Sequence, residues 1–261
     1  MTTIIARAAE SVHWYGQDGS PQYTVEAKDG SQRPTTLRDA RKFNLVPSVT
    51  TILKVAAKPG LEAWKLEQML LSALTLPRLP DEPEKSFIAR IAADSKETGK
   101  QAAEQGTRIH ESIERWMKGE RDVEFQRSAS AFDKHIHEYF GSHPCQDWLM
   151  ERSFAHQGFG GKVDMYCEPN ELAPTGIVLD IKSKEFGVDD KVDAYDEHGM
   201  QLAAYRVGLG LPAARCANVF VSRNHPGLIR IVEWAQPDLE RQFQMFNHLL
   251  AFWKLKNKFG E

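Results

Sequence analysis

What most constrains the fold is a change of character near residue 145. Upstream, apolar residues recur at helical spacing; downstream, short β-rich runs alternate with helices. Trp148 to Phe154, Lys162 to Cys167 and Gly176 to Ile181 read as strands. Gly158-Phe159-Gly160-Gly161 separates the first two, which predicts a hairpin there. A helix over Gln201 to Leu209 follows. Two more strands, Ala217 to Val221 and Leu228 to Trp234, flank the turn Asn224-His225-Pro226-Gly227. A last helix runs from about Asp238 to Lys258, with Phe243, Phe246, Leu249, Leu250 and Trp253 on its apolar face. Strands interleaved with helices predict an α/β (α+β) chain, with a mixed central sheet flanked by helices.

The upstream half is mostly helical. Val12 to Tyr15 and Gln22 to Val25 flank Asp18-Gly19, which predicts a small N-terminal β-hairpin. A basic stretch, Arg33 to Lys42, carries Arg33, Arg38, Arg41 and Lys42. Ser48 is the expected N-cap of a short helix entered through Pro47. Leu61, Trp64, Leu66, Leu70, Leu71 and Leu74 form a helical stripe, and Pro77, Pro80 and Pro83 mark the linker after it. From Glu84 to Gly119 the chain is helix-prone, with an expected break near Gly99. Ile109, Ile113, Trp116 and Met117 form its last apolar stripe, and Gly119 stops it. Phe125 to Phe140 is a further amphipathic helix. The divisions read from this are 1–45 (hairpin and basic segment), 46–142 (helices) and 143–261 (the strand-rich core), integrated into a single domain.

With 261 residues, 41% hydrophobic and 26% charged, the chain can bury a sizeable core. No apolar run approaches the roughly 20 residues that span a bilayer, and the N-terminus lacks a secretion pattern; no membrane partner is expected. Cys145, Cys167 and Cys216 are dispersed, with no CxxC pair, which fits a reducing cytoplasm and small buried side chains. The net charge of −3 does not announce nucleic-acid binding. If the chain bound nucleic acid, it would have to do so through a local basic patch or through metal ions.

Chemistry concentrates in Gly161-Lys162-Val163-Asp164 and Asp180-Ile181-Lys182. On a strand, Asp180 and Lys182 project from one face while Ile181 faces the core. A carboxylate and an amine on a mostly apolar strand are costly to bury unless they pair or bind something. Asp164 sits on the preceding run, so neighbouring strands can bring the two carboxylates together. Their repulsion is relieved by a divalent cation, and oxygen donors suit Mg²⁺ or Mn²⁺. Such an ion polarises a phosphodiester while a lysine orients water or offsets developing charge. A surface Asp–Lys pair is the alternative reading of these residues taken alone.

Four segments in order change that balance: Gly106-Thr107-Arg108-Ile109-His110, Gly161-Lys162-Val163-Asp164, Asp180-Ile181-Lys182 and Gln201-Leu202-Ala203-Ala204-Tyr205. Together, over about residues 100 to 222, they resemble the PD-(D/E)XK nuclease superfamily, in its RecB-like, phage-type exonuclease branch. Val46 to Leu53 is similar to the opening of phage-type and mitochondrial members. The resemblance implies a restriction-endonuclease-like core. It makes Asp164 and Asp180 metal ligands and catalytic carboxylates, with Lys182 the catalytic lysine. His110 and the Ile181 carbonyl would complete the metal site, for Mg²⁺ with Mn²⁺ as substitute.

Glu114, one turn after His110, and Glu151 are second-tier candidates, with a solvated carboxylate as the alternative. Gln201 and Tyr205, four apart on one helix face, support the site or touch DNA. Lys184, Arg33, Arg38 and Arg41 are candidate phosphate contacts, and Trp14, Tyr15 and Trp64 candidate stacking residues, each with a structural alternative. The loop Asp189 to His198 would shape access.

The expected activity is Mg²⁺-dependent exonucleolytic hydrolysis of linear duplex or single-stranded DNA from a free end, in recombination or repair. The setting implied is the cytoplasm of a bacterium or phage-infected host, beside a single-strand annealing protein, with an oligomer possible. Alternatives are a single-strand-specific or flap-trimming nuclease, a catalytically inactive nucleic-acid-binding protein of the same fold, and a carboxylate metalloenzyme acting on other substrates.

Overall fold

A computed structural model describes residues 13–141, 148–171 and 173–260. Val12, Cys145 and the boundary expected at 142/143 lie outside the described residues. The N-terminal part comprises β1 (Trp14–Tyr15), β2 (Thr24–Glu26), β3 (Gln32–Pro34), α1 (Leu37–Lys42), β4 (Val46–Pro47) and α2 (Val49–Leu53). Then come α3 (Pro59–Thr75), α4 (Glu84–Met117) and α5 (Gln126–Phe140). The remainder is β5 (Leu149–His156), β6 (Phe159–Cys167), β7 (Ile177–Lys184), α6 (Asp196–Gly208), β8 (Arg215–Ser222), β9 (Ile229–Trp234) and α7 (Gln236–Lys256).

Five strands form one mixed sheet in the order β5-β6-β7-β8-β9. All neighbours are antiparallel except β7 and β8, which are parallel because α6 crosses over between them. Strand alternation sorts the core into two layers. Ile177, Leu179 and Ile181 of β7, with Ala217, Val219 and Val221 of β8, meet Ile109 and Ile113 of α4 and Phe132 and Ile136 of α5. Val178 and Cys216 point the other way, toward Leu202 and Ala203 of α6 and Leu239, Phe246 and Leu250 of α7. Each such fully buried Leu, Ile or Phe contributes about 1.5–3 kcal/mol relative to exposure. Both observations bear out the mixed α/β sheet flanked by helices. No helix among the described residues is long and apolar enough to cross a membrane.

The β5–β6 hairpin turns on Gln157 (φ 27°) and Gly158 (φ 92°), a two-residue turn that favours glycine. Phe159, Gly160 and Gly161, expected in the turn, belong to β6 instead. The two glycines permit close packing: a Cβ on Gly160 would meet Tyr15 at 2.9 Å, and one on Gly161 would meet the Tyr205 ring at 2.9 Å.

The N-terminal hairpin is present but displaced. β2 pairs with β3, whereas β1 pairs with β4, and the expected Val12–Val25 hairpin is reduced to one bridge between Tyr15 and Pro21. Ser48 caps α2 as expected, its hydroxyl accepting from the Thr51 N–H at 3.0 Å.

Two helical expectations are corrected. The long α4 runs through Gly99 without a break, because Trp64 of α3 lies against that glycine, a contact that offsets its poor helix propensity. The leucine stripe of α3 finds no core: Leu66, Leu70 and Leu74 remain exposed, and the main packing partner of α3 is α4. In addition α6 begins at Asp196, five residues before the expected Gln201, so His198 sits on the helix and not in the loop.

Candidate active site

The β6–β7 ladder pairs Cys167 with Ile177, Tyr166 with Val178 and Met165 with Leu179, then stops. The β7–β8 ladder continues to Lys184. The sheet therefore forks, and the fork opens at Asp164. Its Oδ2 accepts the Ile181 N–H at 2.8 Å, standing in for the ladder bond a paired strand would have supplied. The sequence-predicted pair of carboxylates is thereby brought to one place, Asp164 on one prong and Asp180 on the other.

Asp180 is buried, at 1% exposure. The Lys182 Nζ donates to Asp180 Oδ1 at 2.8 Å and to Gln201 Oε1 at 3.1 Å. The Gln201 Nε2 donates to the Tyr205 hydroxyl at 2.9 Å. Gln201 and Tyr205, both buried, thus form a brace behind the lysine. Burial, and then the neighbouring Asp180 charge, push the Asp164 carboxyl up to about 7, with Lys182 and the Ile181 N–H opposing. Burial works against the Lys182 ammonium, but Asp180 and Asp164 outweigh it and raise its pKa above the ordinary lysine value. Lys182 is therefore a cation at neutral pH.

His110 reaches the fork from α4, its Nδ1 4.0 Å from Asp164 Oδ2 and its ring bonded to the Ile181 backbone. Burial, then the Lys182 charge, holds its pKa below the ordinary histidine value, which favours the neutral imidazole that can ligate a metal. Gly106, one turn earlier, explains how the helix comes so close: a Cβ there would meet the Ser183 Oγ at 2.5 Å.

The other expected residues divide. Glu151 is brought in: its neighbours Met150 and Arg152 pair with Met165 and Val163, so it stands opposite Asp164, with φ 57° and an ion pair to Lys162. Its charge is felt by both His110 and Asp164. Glu114 instead pairs with Lys118 along its own helix. Lys184 stacks its ammonium 5.5 Å from the Tyr195 ring centroid, beside the site.

The basic segment is largely occupied within the protein. Arg33 binds Asp39 through both terminal nitrogens, at 2.6 and 2.9 Å. Arg41 donates to the Asn257 and Lys258 carbonyls at 2.5 and 3.1 Å, closing the C-terminal end of α7. Arg38 is exposed. Trp14 and Tyr15 are buried at 1% and 2%, so they are core residues and not stacking platforms.

Three polar neighbours escaped the sequence reading. Asn218 of β8, in parallel register with Asp180, donates from Nδ2 to Asp180 Oδ2 at 2.8 Å. Trp234 of β9 donates from Nε1 to Asn218 Oδ1 at 2.8 Å. His198 accepts the Tyr195 N–H on Nδ1 at 3.2 Å, and burial, then Lys182, lowers its pKa to about 4. An asparagine inside the apolar run Ala217 to Val221 was the available signal for the first.

Among the described residues, no three His, Cys, Asp or Glu side chains stand preassembled around one metal position. The donor chemistry nonetheless fits a divalent cation. An imidazole, two carboxylates and a carbonyl converge on the fork, and the raised Asp164 pKa marks a place that lacks positive charge. The Lys182 ammonium partly supplies that charge, so a cation taking up Asp180 would compete with Lys182 for it.

No protein-family model and no curated protein matches the chain. Among solved structures it is similar to one described as a crystal structure of SSO0001, at 14% identity and a TM-score of 0.29, over 72% of this chain and 86% of that one. A likeness that loose bears on neither fold nor function.

Proposed function

We propose that the protein is a divalent-metal-dependent DNA nuclease with a PD-(D/E)XK-type core, acting as an exonuclease of the RecB-like, phage-type branch. The observation that carries the reading is the forked sheet, which gathers Asp164, Asp180 and Lys182 at one point with His110 alongside. Asp164, Asp180, His110 and the Ile181 carbonyl would hold Mg²⁺, or Mn²⁺ in its place. The ion, when bound, supplies a Lewis acid for a phosphoryl oxygen and acidifies a water. The residues of the chain do the rest. Lys182, charged at neutral pH, stabilises negative charge as it grows on the phosphate. Gln201 and Tyr205 hold that ammonium in line. Asp180, buried between Lys182 and Asn218, keeps one orientation.

DNA approaches a chain of net negative charge, so the approach must be local. Lys184 and Tyr195 lie beside the fork and are the contacts we favour, with Arg38 more remote. The requirement for a free end, a cytoplasmic setting, a role in recombination or repair, an annealing-protein partner and an oligomeric ring all rest on the resemblance of the four sequence segments.

The test is a substrate panel with Mg²⁺ and with EDTA: end-labelled linear duplex, closed circular duplex, flapped duplex and single strands. Degradation of linear DNA with circles spared, lost in EDTA and in Asp180→Ala or Lys182→Ala, is the expected result. Loss of Lys182 should cost roughly 10²–10³-fold in rate. Cleavage of closed circles would remove the exonuclease reading. Cleavage confined to single strands or flaps would assign the flap-trimming activity. DNA binding without cleavage would make the protein a catalytically inactive binder, and full activity in either variant would refute the site.

A further inference from the structure

Behind Asp180 the sheet carries a buried polar relay that the nuclease reading does not require. Asn218 is fully buried, at 0% exposure, within the apolar strand β8. A buried amide is retained at no cost only when its polar atoms are all satisfied. Here its Nδ2 donates to Asp180 Oδ2 at 2.8 Å and its Oδ1 accepts from Trp234 Nε1 at 2.8 Å. An indole nitrogen can only donate, and an ionised carboxylate can only accept. The amide therefore has a single orientation consistent with both neighbours, held by Asp180 on one side and by Trp234 on the other. The Trp234 ring is itself clamped, because α6 passes over it at Gly199, where a Cβ would meet the ring at 2.8 Å.

We infer that Asn218, oriented by Trp234, is a positioning residue that fixes the Asp180 carboxylate for metal binding and phosphodiester hydrolysis. The terminal torsion of aspartate is broad and nearly two-fold, so the side chain alone does not choose which oxygen faces the fork. The Asn218 N–H grips Oδ2 from the β8 side, while Lys182 Nζ sits 2.8 Å from both oxygens, so Asn218 is the contact that tells the two apart. If the indole N–H is lost, the buried Asn218 oxygen has no donor and the amide is held from one side only, which loosens its grip on Asp180. The inference rests on the proposed nuclease reading, since it gives Asp180 something to be positioned for.

Trp234→Phe and Asn218→Ala test it, each alone and combined. Trp234→Phe keeps an aromatic side chain and removes the donor with part of the indole's bulk, a milder change that remains informative if Asn218→Ala fails to fold. Mn²⁺ affinity is measured by titration calorimetry on the metal-free protein, and kcat and KM are measured on linear duplex. Asn218→Ala is expected to weaken Mn²⁺ binding by roughly 10-fold or more, the usual effect of losing a partner of a metal ligand, and Trp234→Phe to weaken it in the same direction. Each should lower kcat to a similar extent while leaving KM for DNA unchanged. Added to Asn218→Ala, Trp234→Phe should do nothing further, because both changes cut one relay. A role confined to stability would lower the melting temperature alone; unchanged Mn²⁺ affinity and kcat in Trp234→Phe, with an active wild type, overturn the inference and leave the nuclease reading standing. Additive losses in the double variant also overturn the relay. Wild-type protein that neither binds Mn²⁺ nor cleaves DNA removes both together.

Discussion

Replacing Asp164 by asparagine should stabilise the metal-free protein, and the effect should depend on pH. Burial and the Asp180 charge raise the Asp164 carboxyl from its ordinary 3.8 to about 7. An acid whose folded pKa lies above its unfolded one binds its proton more tightly in the folded state. Stability therefore falls as pH rises between the two values, and the full penalty is present above the folded one. At roughly 1.36 kcal/mol per pH unit, a rise of that size sets an upper bound of about 4 kcal/mol. Residual structure in the unfolded chain brings what is measured below that bound.

Asp164→Asn keeps an oxygen to accept the Ile181 N–H and removes the charge. Urea unfolding in EDTA, near pH 5 and near pH 8, reads the difference as a shift in midpoint with constant slope. The variant should exceed wild type by up to about 4 kcal/mol at about pH 8 and by less than half as much at about pH 5. Mg²⁺ should then stabilise wild type and leave the variant largely unmoved. A variant no more stable than wild type at the higher pH, or a gap of equal size at both, would refute the electrostatic account of the fork.

Tyr205→Phe removes the hydroxyl that accepts from Gln201 and leaves a buried amide donor unsatisfied. A loss of about 1–3 kcal/mol in stability is expected, together with a lower kcat and unchanged KM; a raised KM alone would return Tyr205 to the DNA path. Gly106→Ala forces a Cβ against the Ser183 hydroxyl and should push His110 off the fork, lowering activity. Ser183→Ala in the same chain should restore much of it, and failure of that rescue would count against the close approach of α4. Arg41→Ala removes the cap on the end of α7 and should cost about 1 kcal/mol, seen as a lower melting temperature. DNA affinity should not change, and a weaker, less salt-dependent complex would make Arg41 a phosphate contact after all.

The sequence by itself determined the periodic parts of this protein. Alternating apolar residues set β5 to β9, and helical spacing set α4 to α7, because hydrophobic period is a local property that survives without tertiary information. Asp180-Ile181-Lys182 was legible for the same reason, since a strand fixes which side chains share a face. Strand partners were not legible where runs are short. β1 pairs with β4, an edge that only the folded chain offers, and keeps a single bridge to the nearby Pro21. Nor could spacing tell a basic surface from basic residues tied down inside the molecule. Arg41 is bound by carbonyls more than two hundred positions away along the chain. The fork that unites Asp164 with Asp180, the Gln201–Tyr205 brace behind Lys182 and the Asn218–Trp234 relay behind Asp180 are likewise products of register between strands and of α6 lying across them. Register is set by the packing of two faces at once, and that condition exists only when the sheet is assembled.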